Sequence, residues 1–250
     1  MYRGFNLKLD KKALEFFGSN GTASNENNKK LMRNAIDKLY EKDGVLDGSK
    51  IIDDWFPNIN ANIFISHSHA DSELAISLAG WLKEKLQLSA FIVSCVWGYS
   101  EDLLRKLNKT YSWKDESKSY SYEGVIRTTE HVNMMLSTAL TKMIDSCEAI
   151  IFLNTPSSIS AKDYLKGNST NSPWIYSEIL TTRLIQKRSP EDHRGIILES
   201  AAMEALSKSL TISYDVNLDH LSPLTLSHLQ RLDMKRKKGN GALDALYEIV

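Results

Sequence analysis

Asn62-Ile63-Phe64-Ile65-Ser66-His67-Ser68-His69-Ala70-Asp71 is an apolar run that breaks into a short polar turn, and the turn leads into an amphipathic stretch ending at Leu86. The apolar run reads as a strand covered on both faces. The stretch after it sets Ala75, Leu78, Ala79 and Leu82 on one helical stripe. This order places Ser66 to Asp71 at the carboxyl end of a strand, where open α/β sheets bind ligands. The pattern recurs downstream. Short apolar runs lie at Ala90–Val93, Ala149–Leu153 and Gly195–Leu198, with a weaker one at Thr211–Tyr214. Before the Ala149 run, Val132, Met135, Leu136, Ala139, Met143 and Ile144 form a second helical stripe. Alternation of this kind predicts an α/β protein, with a parallel sheet and helices on both faces.

Outward from this core the chain divides into three. Residues 1–57 read as a helical N-terminal extension, with an apolar segment at Lys11–Phe17 and a polar loop from Gly18 to Asn28. A helix is expected over Lys29–Lys42, with Leu31, Ala35, Ile36 and Leu39 on one face, and another turn over Ser49–Trp55. Residues 61–216 form the α/β domain. Residues 217–250 read as a helical C-terminal extension: one helix from Leu221 to about Lys237, a Gly239-Asn240-Gly241 break, and a short amphipathic end. The polar stretch from Gly98 to Glu130 contains an expected helix at Glu101–Asn108. A connection that long points to a functional loop.

Bulk composition narrows the function classes. Lys plus Arg and Asp plus Glu number 31 each, so net charge argues for neither nucleic acid nor an acidic membrane as partner. The Lys235-Arg236-Lys237-Lys238 cluster reads as a solvated helix end. Cys95 and Cys147 flank apolar runs and read as buried thiols in a reducing compartment. No apolar run approaches the ~20 residues of a membrane span. The N-terminus lacks the apolar core of a signal peptide. A soluble cytoplasmic protein is expected.

Two segments carry candidate chemistry. His67-x-His69-x-Asp71 has the ligand types of a zinc or iron hydrolase, but the next position is Ser72 where such sites carry a further His. His131, His193, His220 and His228 lie in no ligand cluster, so no metal is expected. The bland reading of the turn is a helix start capped by Asp71 or Ser72. The second segment is Ser172-Pro173-Trp174-Ile175-Tyr176-Ser177-Glu178. Ser172 suits an N-cap and Pro173 the first helical position, so Trp174 and Glu178 share a face at i and i+4. Thr181 and Thr182 follow Glu178 at i+3 and i+4, which leaves it no downstream cation. It reads either as a surface carboxylate or as one held against an aromatic wall in a site. Phosphate-loop, Cys-x-x-Cys and Gly-x-Ser-x-Gly signatures are absent, and Gly239-Asn240-Gly241 follows no strand and lacks the third Gly, so no Rossmann fingerprint is expected.

Phe64–Asp71 and Trp174–Glu178 together resemble a TIR (Toll/interleukin-1 receptor) domain of the bacterial, NAD-consuming kind. The first matches the Phe-Ile-Ser-(His/Tyr)-Ser-x-x-Asp type segment ending the family's first strand. The second matches the Trp and catalytic Glu on the helix after the third central strand. The resemblance covers roughly Ala61 to Ser213. It implies a flavodoxin-like fold, NAD+ as substrate without a further cofactor, and Glu178 as the catalytic residue. It places Ser66, His67, Ser68, His69, Asp71 and Trp174 around the nucleotide. Trp97 and Tyr99, after the second strand, would stack on a base, or else anchor the core. It implies other TIR protomers as partners on activation, a phage-derived trigger, and a separate effector reached through a nucleotide signal. A non-catalytic TIR interaction module is the alternative, and a metallohydrolase using His67, His69 and Asp71 is the minor one.

Overall fold

The computed structural model describes residues 1–9, 13–18, 41–42, 45–56, 60–159, 169–194, 214–215 and 218–250; at 41, 42, 45, 95–99, 214 and 215 it describes the backbone alone. The fold is α/β and flavodoxin-like. Five strands, β1 (Arg3–Lys8), β2 (Ile63–Ser66), β3 (Ala90–Ile92), β4 (Ala149–Asn154) and β5 (Ser222–Leu224), lie in the order β5-β1-β4-β2-β3. Every neighbouring pair is parallel. The described helices are α1 (Ala13–Phe17), α2 (Gly48–Trp55), α3 (Ser72–Leu86), α4 (Ser94–Leu107), α5 (Tyr122–Ser146), α6 (Pro173–Leu184), α7 (Pro190–His193), α8 (Leu226–Met234) and α9 (Asn240–Ile249).

Register decides which side chains share a face. Phe5 pairs with Ile151, Ile151 with Ile65, and Ile65 with Ile92, so these four project to one side. There Phe5 stacks on Tyr247 of α9, and Phe16 and Phe17 of α1 close on Trp81 of α3. Ser66, Phe152 and Asn6 pair in the same way on the opposite side. Phe152 is buried there with Ile175 and Ile179 of α6. Full burial of side chains of this size stabilises the fold by about 1.5–3 kcal/mol each.

The strand beside β4 corrects the sequence reading. Residues 1–57 were expected to be a helical extension, but Arg3–Lys8 is an inner strand between β4 and β5. Its alternation of Arg3, Phe5 and Leu7 with Gly4, Asn6 and Lys8 is the period of a strand. Gly4 sits at a close approach: a Cβ there would lie 2.5 Å from Leu221 Cδ2 and 3.2 Å from Ile150 Cγ2, so those side chains would have to shift. The C-terminal segment is corrected likewise. Ser222–Leu224 is the edge strand β5, and the expected single helix begins only at Leu226. The sheet therefore needs residues on both sides of 61–216.

Three smaller expectations also change. The helix after β3 starts at Ser94, not Glu101, and runs through one π turn at Asn108–Ser112 into a short hairpin, Trp113–Lys114 with Ser119–Tyr120. α5 begins at Tyr122, so the expected long loop is mostly helical. Of the weak fifth run, Tyr214 belongs to a two-residue antiparallel pairing with Ser169–Thr170. The Gly195–Leu198 run and residues 29–40 of the expected Lys29–Lys42 helix lie outside the described residues; the last two, Glu41 and Lys42, are not helical but pair antiparallel with Leu46 and Val45.

Candidate functional site

β2 ends at the point where the sheet order switches direction, with β3 on one side and β4 on the other. That is where open α/β sheets leave a ligand crevice. Ser66 is the last residue of β2 and is fully buried. Its register with Phe152 aims it at the face covered by α6. α6 forms there because Ser172 caps it: the Ser172 hydroxyl accepts from Ile175 N at 3.2 Å, and Pro173 occupies the first turn. One turn on, Glu178 is buried to 1 % exposure, and Ser66 Oγ donates to Glu178 Oε2 at 2.6 Å. Glu178 Oε1 is buried with no hydrogen-bond partner among the described residues.

Burial dominates the electrostatics of this pair. It pushes the Glu178 carboxyl from its usual 4.5 up to about 8, against the smaller opposing pull of the Ser66 hydrogen bond. Burial likewise pushes His67 down from 6.5 to about 4, opposed by its Nδ1 contact with the Ile65 carbonyl oxygen at 3.4 Å. In the structure as it stands, both side chains are therefore neutral at pH 7.

The other predicted residues divide around this pair. Ser68 is buried, and its hydroxyl donates to Asp71 Oδ2 at 2.8 Å. Thr155, just past β4, donates to the same oxygen at 2.6 Å. Asp71 thus ties the turn after β2 to the turn after β4. It makes no side-chain cap on α3, contrary to the expectation. His69 is half-buried and opens a short 3-10 turn, His69–Asp71. Trp97 and Tyr99 lie on the backbone of α4, not in a loop, and their side chains are outside the description. Trp174 is half-buried and lines a groove of about 640 Å³ between α5 and α6, with Ser177 but not Glu178 beside it.

A second opening matters more for the turn. A cleft of about 530 Å³ at the carboxyl ends of the strands is lined by Leu9, Leu14, Ala70, Asp71, Thr155 and Ser157, among others. Asp71 therefore faces a cleft, while Glu178 is buried and lines neither opening. Thr155 was missed from sequence. Its turn is built by its own side chains: Thr155 N donates to Ser158 Oγ at 2.9 Å, and Ser158 Oγ donates to the Leu153 carbonyl at 2.8 Å. The polar Thr155-Pro156-Ser157-Ser158 run directly after an apolar strand was the available signal. Thr182, on the turn after Glu178, hydrogen-bonds His220 Nε2 at 2.7 Å and fixes the far end of α6. Among the described residues no group of three His, Cys, Asp or Glu is placed to hold a metal ion.

Compared with protein families, with curated proteins and with solved structures, the chain has no match. No described helix is long and apolar enough to cross a membrane.

Proposed function

We propose that the chain cleaves the bond between nicotinamide and ribose in NAD+, with Glu178 as the catalytic carboxylate. The observation that carries the reading is the buried hydrogen bond between Ser66 and Glu178, which joins two segments 112 residues apart at the sheet's switch point. In the reaction, the glycosidic carbon–nitrogen bond breaks and nicotinamide leaves with its electron pair. The ribosyl centre left behind is oxocarbenium-like. A carboxylate beside it stabilises that charge and orients the ribose hydroxyls. Approach of the cationic nicotinamide ribose favours the ionised form of Glu178, opposing the burial that keeps it neutral. Water then captures the centre to give ADP-ribose, losing a proton, or a group of the nucleotide captures it to give a cyclic product.

Ser66, His67, Ser68, His69, Asp71, Trp97, Tyr99 and Trp174 are the proposed substrate contacts. The proposed biological role is antiphage defence in the cytoplasm, in which a phage-derived trigger assembles TIR-like protomers and the product signals to a separate effector. One observation favours a second reading, a non-catalytic interaction module: at 1 % exposure, Glu178 has no route to a substrate without movement. Nucleotide mass spectrometry of infected cells separates the two. NAD+ loss with a new ADP-ribose-family product in wild type, absent in Glu178→Gln, is the expected result. Unchanged nucleotides in infected wild-type cells overturn the enzymatic reading.

A further inference from the structure

The chain carries no net charge, yet the fold gathers its cations unevenly. α3 ends at Leu86, just before β3 begins at Ala90, so its last turn lies at the amino ends of the strands. That turn carries Lys83 and Lys85. The turn between α8 and α9, read from sequence as a solvated helix end, folds against it. Gly239 N donates to the Leu86 carbonyl oxygen at 2.7 Å, and Lys238 Nζ donates to the Lys85 carbonyl oxygen. Left-handed backbone at Arg236 (φ 51°) and Gly239 (φ 50°) keeps this turn tight, and Lys235, Arg236, Lys237 and Lys238 are all exposed on it. Segments 153 residues apart thus share one basic surface.

Neighbouring carboxylates offset only part of this charge. Lys85 pairs with Glu84 and Lys235 with Glu248, each at 2.8 Å. Asp233 is a further carboxylate acting on Lys85, and Asp244 is taken by Arg194. Among the described residues, Lys83, Arg236 and Lys237 enter no ion pair. The surface also holds an apolar group. Met234 ends α8 directly before the four cations and is 74 % exposed. A bilayer suits both features: acidic headgroups attract the cations, and the acyl boundary takes the methionine. A nucleic acid would use only the charge. The exposed aromatic side chains on which its bases would stack lie elsewhere, at Tyr111, Trp113, Tyr120 and Tyr122.

We propose that the surface formed by the end of α3 and the α8–α9 turn docks on an acidic lipid bilayer, with Met234 entering the headgroup layer. Docked this way, the cleft at the carboxyl ends of the strands faces away from the lipid. The proposal does not rest on the NAD+ reading, because vesicle binding is measured without substrate.

Co-sedimentation of the full chain with vesicles tests it. One set is phosphatidylcholine alone, and the other contains about a third phosphatidylserine to supply the acidic surface. Wild type is compared with Lys237→Glu, Arg236→Glu/Lys237→Glu, Met234→Ser, and Lys114→Glu on the distant-in-sequence hairpin. All the changed side chains are exposed, and circular dichroism confirms an unchanged fold. Wild type is expected to bind the acidic vesicles and not the neutral ones, and to release them in about 1 M salt, where screening is within about 3 Å. Each cation at such a surface is worth about fivefold in binding, so Lys237→Glu should weaken it about tenfold or more and the double reversal about a hundredfold or more. Met234→Ser should weaken it several-fold, and Lys114→Glu should leave it unchanged. No binding to acidic vesicles, or equal binding to neutral ones, overturns the proposal. So does a Lys114→Glu loss equal to that of Lys237→Glu, which would make the effect one of net charge. Met234→Ser binding as well as wild type, or a single-stranded oligonucleotide displacing the vesicles, overturns the choice of a bilayer.

Discussion

Replacing Glu178 with Gln should make the substrate-free protein more stable at neutral pH. Burial holds the folded carboxyl near 8, whereas its ordinary value is 4.5. A folded pKa raised in this way leaves stability intact below pH 4.5. It is lost as pH rises toward 8, because the unfolded chain releases a proton that the folded chain keeps. Each pH unit above 4.5 costs about 1.4 kcal/mol, so the wild type forgoes about 3 kcal/mol at pH 7 and about 5 kcal/mol from pH 8 upward. Gln keeps the shape and an acceptor for the Ser66 hydroxyl but has no proton to release. His67 acts in the opposite sense: its folded pKa is depressed to about 4, so its contribution is present above 6.5 and lost as pH falls. It is common to both proteins and cancels in the difference. Urea unfolding at a series of pH values measures the effect through the midpoints. The gap between variant and wild type should be near zero at pH 4.5 and grow to about 3 kcal/mol at pH 7. A constant gap, or a variant less stable than wild type at pH 7, would refute burial as the force acting on Glu178.

Other expectations follow from single contacts. Gly4→Ala should destabilise by about 1–3 kcal/mol in thermal or urea unfolding, since the new methyl group meets Leu221 and Ile150 in a packed layer. Asp71→Ala should cost about 1–3 kcal/mol, because Ser68 and Thr155 both lose the acceptor that joins their turns. Arg194→Met should cost about 2–3 kcal/mol: it strips the bidentate partner from buried Glu148, although Tyr247 still donates to that carboxylate.

The central part of the fold was legible because its strands are covered on both faces. Ile63–Ile65 and Ala149–Leu153 are continuous apolar runs, and no helix of that length competes for them. β1 was read as part of a helical extension because its burial signal is only Gly4, Phe5 and Leu7, and the nearby Ala13–Phe17 segment is genuinely helical. β5 contains Pro223, which argues against an inner strand but is tolerated at the edge where the sheet places it. The α6 start was legible from Ser172 and Pro173, whose capping chemistry is local. The Asp71–Thr155 tie was not, because hydrogen bonds between residues 84 apart leave no periodic trace. Trp97 and Tyr99 were placed after the second strand, at the start of a long loop, through the family resemblance, yet α4 runs through both. The Ser66–Glu178 juxtaposition was anticipated through family resemblance, and no spacing rule would have supplied it.

The most direct test of the account is the pH dependence of kcat/KM for nicotinamide release by purified protein, alone and with a crowding agent or phage-infected lysate. The account predicts release from NAD+ by wild type, with kcat/KM rising to a plateau above about pH 8 as free Glu178 ionises. Glu178→Gln should be lower by about a hundredfold or more at the plateau, with that rise gone. No nicotinamide from wild type at any pH, or a folded Glu178→Gln protein that matches wild type, would contradict it.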